Sequence, residues 1–199
     1  MIAALACMRM GLVVATAYAT LGEEGVLTAL TQTSARICVC DSKLLKILTG
    51  IKKLPKSLEW IVTLGDAQCD VKKHSSLSQL ETDETKPKAQ VQASNLAVLM
   101  YTSGTTGKSK GVCLTHENCV SMTISYPKHS PFITESDCYI AYLPLAHIME
   151  LTIEMWVLGV GGSLGYGSPH TLTDTSVKLA PGFRGAAPLL RPTCMLFAP

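Results

Sequence analysis

The 199-residue chain reads as an α/β protein, with mostly parallel sheets flanked by helices. Two observations predict that class. Short apolar runs rich in β-branched residues alternate with segments of helix length, the order that builds parallel sheets. The composition, 47% hydrophobic and 16% charged, is that of a globular chain, long enough to bury one core or one and a half. No internal repeat or heptad pattern competes with this reading.

Ile2 to Met10 reads as a helix and "LVVATAY" as a buried strand, the state its β-branched residues favour. Glu23 to Gln32 is a helix with acids in its first turn, where the dipole favours them. "RICVC" is the next strand, Asp41 caps a helix through Leu48, and "LEWIVTL" is a third strand. Residues 65–93 lose the pattern and read as a polar surface linker. "LAVLMYT" then opens a new strand, "VCL" follows as a short one, and Thr115 caps a helix to about Ser125. "CYIAYLPL" is a strand and "HIMELTIEMWVLGV" a largely apolar helix. "GGSLGYG" turns into a short strand, and "RPTCMLFAP" reads as one more.

Several functions are excluded early. A net charge of +2, from 17 basic and 15 acidic residues, with no basic stripe, argues against nucleic acid as a partner. The eight cysteines sit mostly in apolar runs such as "ICVC" and read as buried free thiols in a reducing compartment. Cys113, His116 and Cys119 have a spacing that suggests metal, but no fourth ligand and no CxxC pair accompany them, so structural zinc is not expected. The first twenty residues lack a basic leading region and are interrupted by Arg9, which fits neither a signal peptide nor a membrane span. The low charged fraction predicts that much of the chain lies inside something larger, with Met1 not the true start.

The most informative stretch is residues 101–111, "YTSGTTGKSKG". Gly104, Gly107 and Gly111 let the backbone approach a ligand closely. Successive backbone N–H groups can converge on an anion, five hydroxyl side chains add donors, and lysine supplies a mobile point charge suited to phosphate. A solvent-exposed Ser/Gly connector is the bland alternative, but connectors rarely set so many threonines between two apolar strands. The embedded "GKS" at Gly107, Lys108 and Ser109 is not a P-loop: that motif needs a glycine at position 102, which is threonine.

The same stretch closely resembles the AMP-binding signature of adenylate-forming enzymes, usually YTSGTTGxPKG. Lys110 falls on the family's lysine, and Ser109 stands where proline is usual, which loosens the loop without removing a donor. "DCYIAYLPLAHIMEL" resembles the D-x-Y-x-x-Y-L-P-L-A-H-x-x-E segment of long-chain acyl-CoA synthetases. The front, "ACMRMGLVVATAYATLGEEGVLTAL", and the tail from Ser168 resemble the corresponding stretches of the same enzymes, so the likeness covers all but the linker.

That resemblance implies a partial large N-terminal domain across residues 1–199, with the C-terminal domain absent. It implies ATP-dependent activation of a long-chain fatty acid, first to an acyl-adenylate and then to acyl-CoA by the thiol of coenzyme A. Ser103, Gly104, Thr105, Thr106 and Gly107 would cradle the β- and γ-phosphates. Lys110 would support the loop or the leaving group, and Thr102 would touch Mg²⁺. His147 would sit near the acyl carboxylate and gate the coenzyme A path; on residues alone it reads rather as a cap of the following helix. Glu150 and Glu154 share a helical face with His147 and read as a solvated or polar-cavity face rather than a metal site, with Ile148, Leu151, Met155 and Leu158 as core.

The family's Y-G-x-T-E and T-G-D motifs, its hinge, its C-terminal lysine domain and its membrane-anchoring front do not appear. An internal piece, inactive alone, is therefore expected. The alternatives are a truncated non-catalytic product that binds nucleotide or another subunit, or a different adenylate-forming ligase. Family likeness further implies association, peripheral or anchored, with an intracellular membrane such as the cytosolic face of the endoplasmic reticulum.

Overall fold

The computed structural model describes residues 1–70, 72–80, 89–102, 110–129 and 132–196. They form two compact units. The amino-terminal unit comprises Ile2–Gln92 and Leu96–Cys113; the carboxy-terminal unit comprises Leu114–Pro199 with Met1 and Ala93–Asn95.

In the amino-terminal unit, α1 (Ile2–Arg9) leads to β1 (Val14–Thr16). This strand keeps only three of the seven residues expected of "LVVATAY", and Leu12 and Val13 before it are exposed rather than buried. Next come α2 (Gly22–Gln32), with Glu23 and Glu24 in its first turn, and β2 (Ile37–Asp41). Asp41 caps as expected, accepting from the Lys43 backbone N–H at 2.9 Å. It caps a single 3-10 turn that leads into α3 (Leu45–Gly50).

β3 (Trp60–Leu64) pairs in parallel with β2, Cys38 opposite Ile61 and Cys40 opposite Thr63. Leu30, Leu45, Leu48, Ile51, Leu58 and Ile61 form the core where α2 and α3 meet this sheet. The polar linker expected over 65–93 is corrected here: β4 (Lys73–Ser76) is a strand parallel to β3. Its own four residues are all polar, which hid it. Thr63 is fully buried and its Oγ1 lies 3.0 Å from His74 Nε2, while Lys73 Nζ rests 5.5 Å from the Trp60 ring centroid.

β5 (Leu96–Thr102) is the central strand of a second sheet, ordered β1-β5-β6, with β6 spanning Lys110–Thr115. β1 and β5 are parallel, Ala15 opposite Leu99. A central strand must be covered, and "LAVLMY" supplies the cover: Ala97 and Val98 are fully enclosed, Met100 and Tyr101 nearly so.

In the carboxy-terminal unit, α4 (His116–His129) starts at Thr115, whose Oγ1 accepts from the Asn118 N–H at 3.2 Å. It runs past Ser125 and carries Pro127 inside it. β7 (Cys138–Ala141) is half the strand expected, because "YLPL" leaves the sheet to enter α5 (Ile148–Gly159). Gly161, at φ +85°, turns the chain into β8 (Ser163–Tyr166), which is parallel to β7. A short helix, α6 (Ala186–Leu190), had no clear signal in the sequence. The tail is not a full strand: among the described residues it makes one bridge, Cys194 to Tyr139. Among the described residues no helix is long and apolar enough to cross a membrane.

Candidate functional site

Ser103 to Ser109, most of the loop expected to bind phosphate, lie outside the described residues. What is described is how the two ends of that segment are held. Thr102 ends β5 and Lys110 begins β6, and these strands are neighbours in one sheet. The stem is fixed further by Tyr101, whose hydroxyl donates to Gln32 Oε1 of α2 at 2.9 Å. Burial raises the Tyr101 phenol, so it stays a donor at neutral pH. At the other end, a Cβ on Gly111 would come within 3.1 Å of Leu99 Cδ2, which suits glycine there. Lys110 is exposed.

His147 belongs to the carboxy-terminal unit. It is the N-cap of α5, with extended backbone (φ −100°, ψ 133°), and its own N–H donates to the Pro144 carbonyl at 2.9 Å. Its Nδ1 accepts from the Met149 N–H at 3.3 Å. An imidazole that accepts at Nδ1 carries its neutral-form proton on Nε2. The ring is exposed, so Nε2–H is left as a donor at the first turn of a helix, where anions are favoured. The capping role read from residues alone is therefore real, and it is compatible with ligand contact through the other nitrogen.

Behind His147 the helix differs from expectation. Glu150 and Glu154 do not form a solvated face: both are buried, at 0% and 1% exposure. Tyr139 of β7 donates its hydroxyl to Glu150 Oε2 at 2.7 Å, and Tyr166 of β8 donates to Glu154 Oε2 at 2.8 Å. Burial pushes Glu150 up to about 7, with the Glu154 charge adding to it and the Tyr139 hydrogen bond opposing. Burial likewise raises Glu154, against the Tyr166 hydrogen bond. Glu150 Oε1 has no hydrogen-bond partner among the described residues. The core positions shift accordingly. Leu151, Ile153, Trp156 and Val157 are buried, whereas Leu158 is exposed. A clue was present in the sequence: two carboxylates at i and i+4 in an otherwise apolar helix need donors, and Tyr139 and Tyr166 stand in the adjoining strands.

Among the described residues no group of three or more His, Cys, Asp or Glu side chains is placed to hold a metal. All eight cysteines are free, but only Cys119 is fully buried and Cys113 is exposed, which corrects the expectation of general burial. Thr102 and Lys110 are therefore brought to one sheet edge, and His147 stands at a helix start in the other unit.

Comparison with known proteins decides the family. The AMP-binding enzyme family matches the chain over residues 1–199. The chain belongs to that family. Long chain acyl-CoA synthetase 8 of Arabidopsis thaliana is 39% identical over 97% of this chain and 29% of its own length. Long-chain-fatty-acid–CoA ligase 1 of Schizosaccharomyces pombe is 35% identical over 100% of this chain and 31% of its own length. The chain thus spans about 30% of these relatives. Among solved structures, the N-terminal domain of FACL13 from Mycobacterium tuberculosis matches with a TM-score of 0.66 at 19% identity, covering 82% of this chain and 39% of that one. O-succinylbenzoate coenzyme A synthetase from Bacillus subtilis, in complex with ATP and magnesium, matches with a TM-score of 0.63 at 25% identity, covering 82% and 31%. The α/β fold is that of adenylate-forming N-terminal domains.

Proposed function

We propose that this chain is part of an AMP-forming long-chain fatty acid–CoA ligase, and that it is inactive by itself. The observation that carries this reading is 39% identity to a long chain acyl-CoA synthetase across nearly the whole chain. The substrates are a long-chain fatty acid, ATP and coenzyme A. In the first step the fatty acid carboxylate attacks the α-phosphate and pyrophosphate leaves; in the second the thiol of coenzyme A displaces AMP. A carboxylate is already anionic, so the first step asks mainly for alignment and charge neutralisation.

The roles follow from side-chain chemistry. Ser103, Gly104, Thr105, Thr106 and Gly107 offer hydroxyl and backbone donors to the β- and γ-phosphates, and Lys110 offers a cation to the loop or the leaving pyrophosphate. His147 presents Nε2–H to the acyl carboxylate and lies on the coenzyme A path. Thr102 would offer its hydroxyl to Mg²⁺, which when bound would supply neutralisation of phosphate charge. Association with an intracellular membrane, on the cytosolic face of the endoplasmic reticulum, belongs to the same proposal.

A hybrid enzyme tests the roles. Residues 1–199 replace the matching segment of the Arabidopsis relative, and His147→Ala is compared with the unmutated hybrid in single turnovers that separate adenylation from acyl transfer. Slower acyl transfer supports the assignment; unchanged rates in both steps make His147 a helix cap and nothing more. The chain alone, given palmitate, ATP, Mg²⁺ and coenzyme A, should form no acyl-CoA.

A further inference from the structure

We infer that Cys38 and Cys40 form a bidentate dithiol site, open to a cavity in the amino-terminal unit, that takes a soft, thiophilic centre of the trivalent-arsenic type. The inference is independent of the proposed ligase activity and rests on the geometry of β2. Residues two apart on a strand share a face, and along β2 the two cysteines turn inward while Ile37, Val39 and Asp41 face out. The inward thiols pack against the core formed by α2, α3 and β3. β2 is also the edge strand of its sheet, and a cavity of about 670 Å³ runs beside it, lined by Cys38 and Cys40 together with Ala29, Leu30, Leu96 and Leu99. The pair is thus sheltered from bulk water and reachable by a small ligand.

The chemistry of the pair fits the same ligand. The Cys38 thiol donates to Cys40, which holds Cys40 below the usual thiol range although burial and the nearby Asp41 charge oppose it. Cys38 is pushed up by that hydrogen bond and by burial. One sulfur is therefore the readier nucleophile, and the other remains a proton-bearing neighbour. At a strand rise of about 3.3 Å per residue, the two Cα atoms are roughly 6.6 Å apart, near the upper limit for a disulfide. A bridging atom lengthens the sulfur-to-sulfur span and suits the pair better than a direct S–S bond.

With phenylarsine oxide as the probe, two As–S bonds form, two S–H bonds and the arsenic–oxygen bond break, and the oxygen leaves as water. Neither arsenic nor sulfur changes oxidation state. No other two cysteines in the chain stand within two residues of each other, although Cys69 packs against the same core and is the natural rival.

The sequence makes the test direct. Trypsin cuts after Arg36 and Lys43, releasing "ICVCDSK", which carries Cys38 and Cys40 and no other cysteine. The 199-residue chain is reduced with a phosphine, given one equivalent of phenylarsine oxide, washed with excess 2-mercaptoethanol and digested. The expected result is one arsenical on the Ile37–Lys43 peptide, stable to the monothiol and released by a dithiol. Cys38→Ser and Cys40→Ser should each lose retention, and Cys69→Ser should keep it. An arsenical mapped to any other peptide, or washed off by the monothiol, overturns the inference. The mapping uses the unmutated chain, so it holds even if a serine variant fails to fold.

Discussion

In the amino-terminal unit the strand leading to Thr102 is held by aliphatic packing, with Ala97 and Val98 fully enclosed. In the carboxy-terminal unit the helix that follows His147 instead buries two carboxylates, each satisfied by one tyrosine hydroxyl. The first arrangement makes a stiff stem whose stability does not depend on pH. The second ties α5 to β7 and β8 through groups that titrate, each carboxylate accepting at Oε2, and Glu150 Oε1 has no hydrogen-bond partner among the described residues. Each unit also carries one of the two tryptophans, Trp60 and Trp156, so fluorescence can follow them separately.

The largest effect should come from forcing the second kind of interior on the first. Val98→Asp places a charge in a fully enclosed site, and an uncompensated buried charge costs about 3–5 kcal/mol. Urea unfolding read at Trp60 should show the amino-terminal unit lost or nearly so, while Trp156 reports little change.

The next effect is the pH dependence of the carboxy-terminal unit. Folding raises Glu150 from 4.5 to about 7, so between those values the folded unit binds more protons than the unfolded chain. Its stability should therefore fall as pH rises through that window and level off above it, by on the order of 2–3 kcal/mol. Tyr139, Glu154 and Tyr166 are the titratable groups that face this carboxylate. Glu150→Gln should flatten the profile. A Trp156-detected midpoint that rises between pH 5 and 8, or a slope unchanged in the glutamine variant, would contradict the assignment.

Smaller still is Tyr101→Phe, which removes the hydrogen bond to Gln32 and should cost about 1 kcal/mol at Trp60 without altering pH dependence. Smallest is Glu59→Gln. Its ion pair with Arg36 is exposed on both sides, and no measurable shift in the urea midpoint is expected.

How much of this was readable in advance followed the physics of each segment. β5 was legible to the residue because a fully covered strand must be apolar throughout. α2 was legible from the acids in its first turn and α5 from its apolar run, with His147 as the N-cap. β4 was not, since all four residues of "KHSS" are polar although they stand opposite Trp60, Ile61, Val62 and Thr63 of β3. β7 was overread because Pro144 and the turn closed by His147 N–H cut an apolar run that looks continuous on paper. At the candidate site, motif spacing singled out Thr102, Lys110 and His147 one by one as candidates. It could not foresee that Glu150 and Glu154 are buried, because only the fold brings Tyr139 and Tyr166 to them.

The most direct test of the central reading is ATP–pyrophosphate exchange in the hybrid carrying residues 1–199, with and without Gly104→Val. Removing preorganised donors to a developing charge typically costs ~10²–10³ in rate. We expect fatty acid-dependent exchange in the hybrid and a loss of that order in the variant, with the Trp60 and Trp156 unfolding profiles of the isolated chain unchanged by the same substitution. Equal exchange by hybrid and variant would contradict a phosphate-binding loop at residues 101–111.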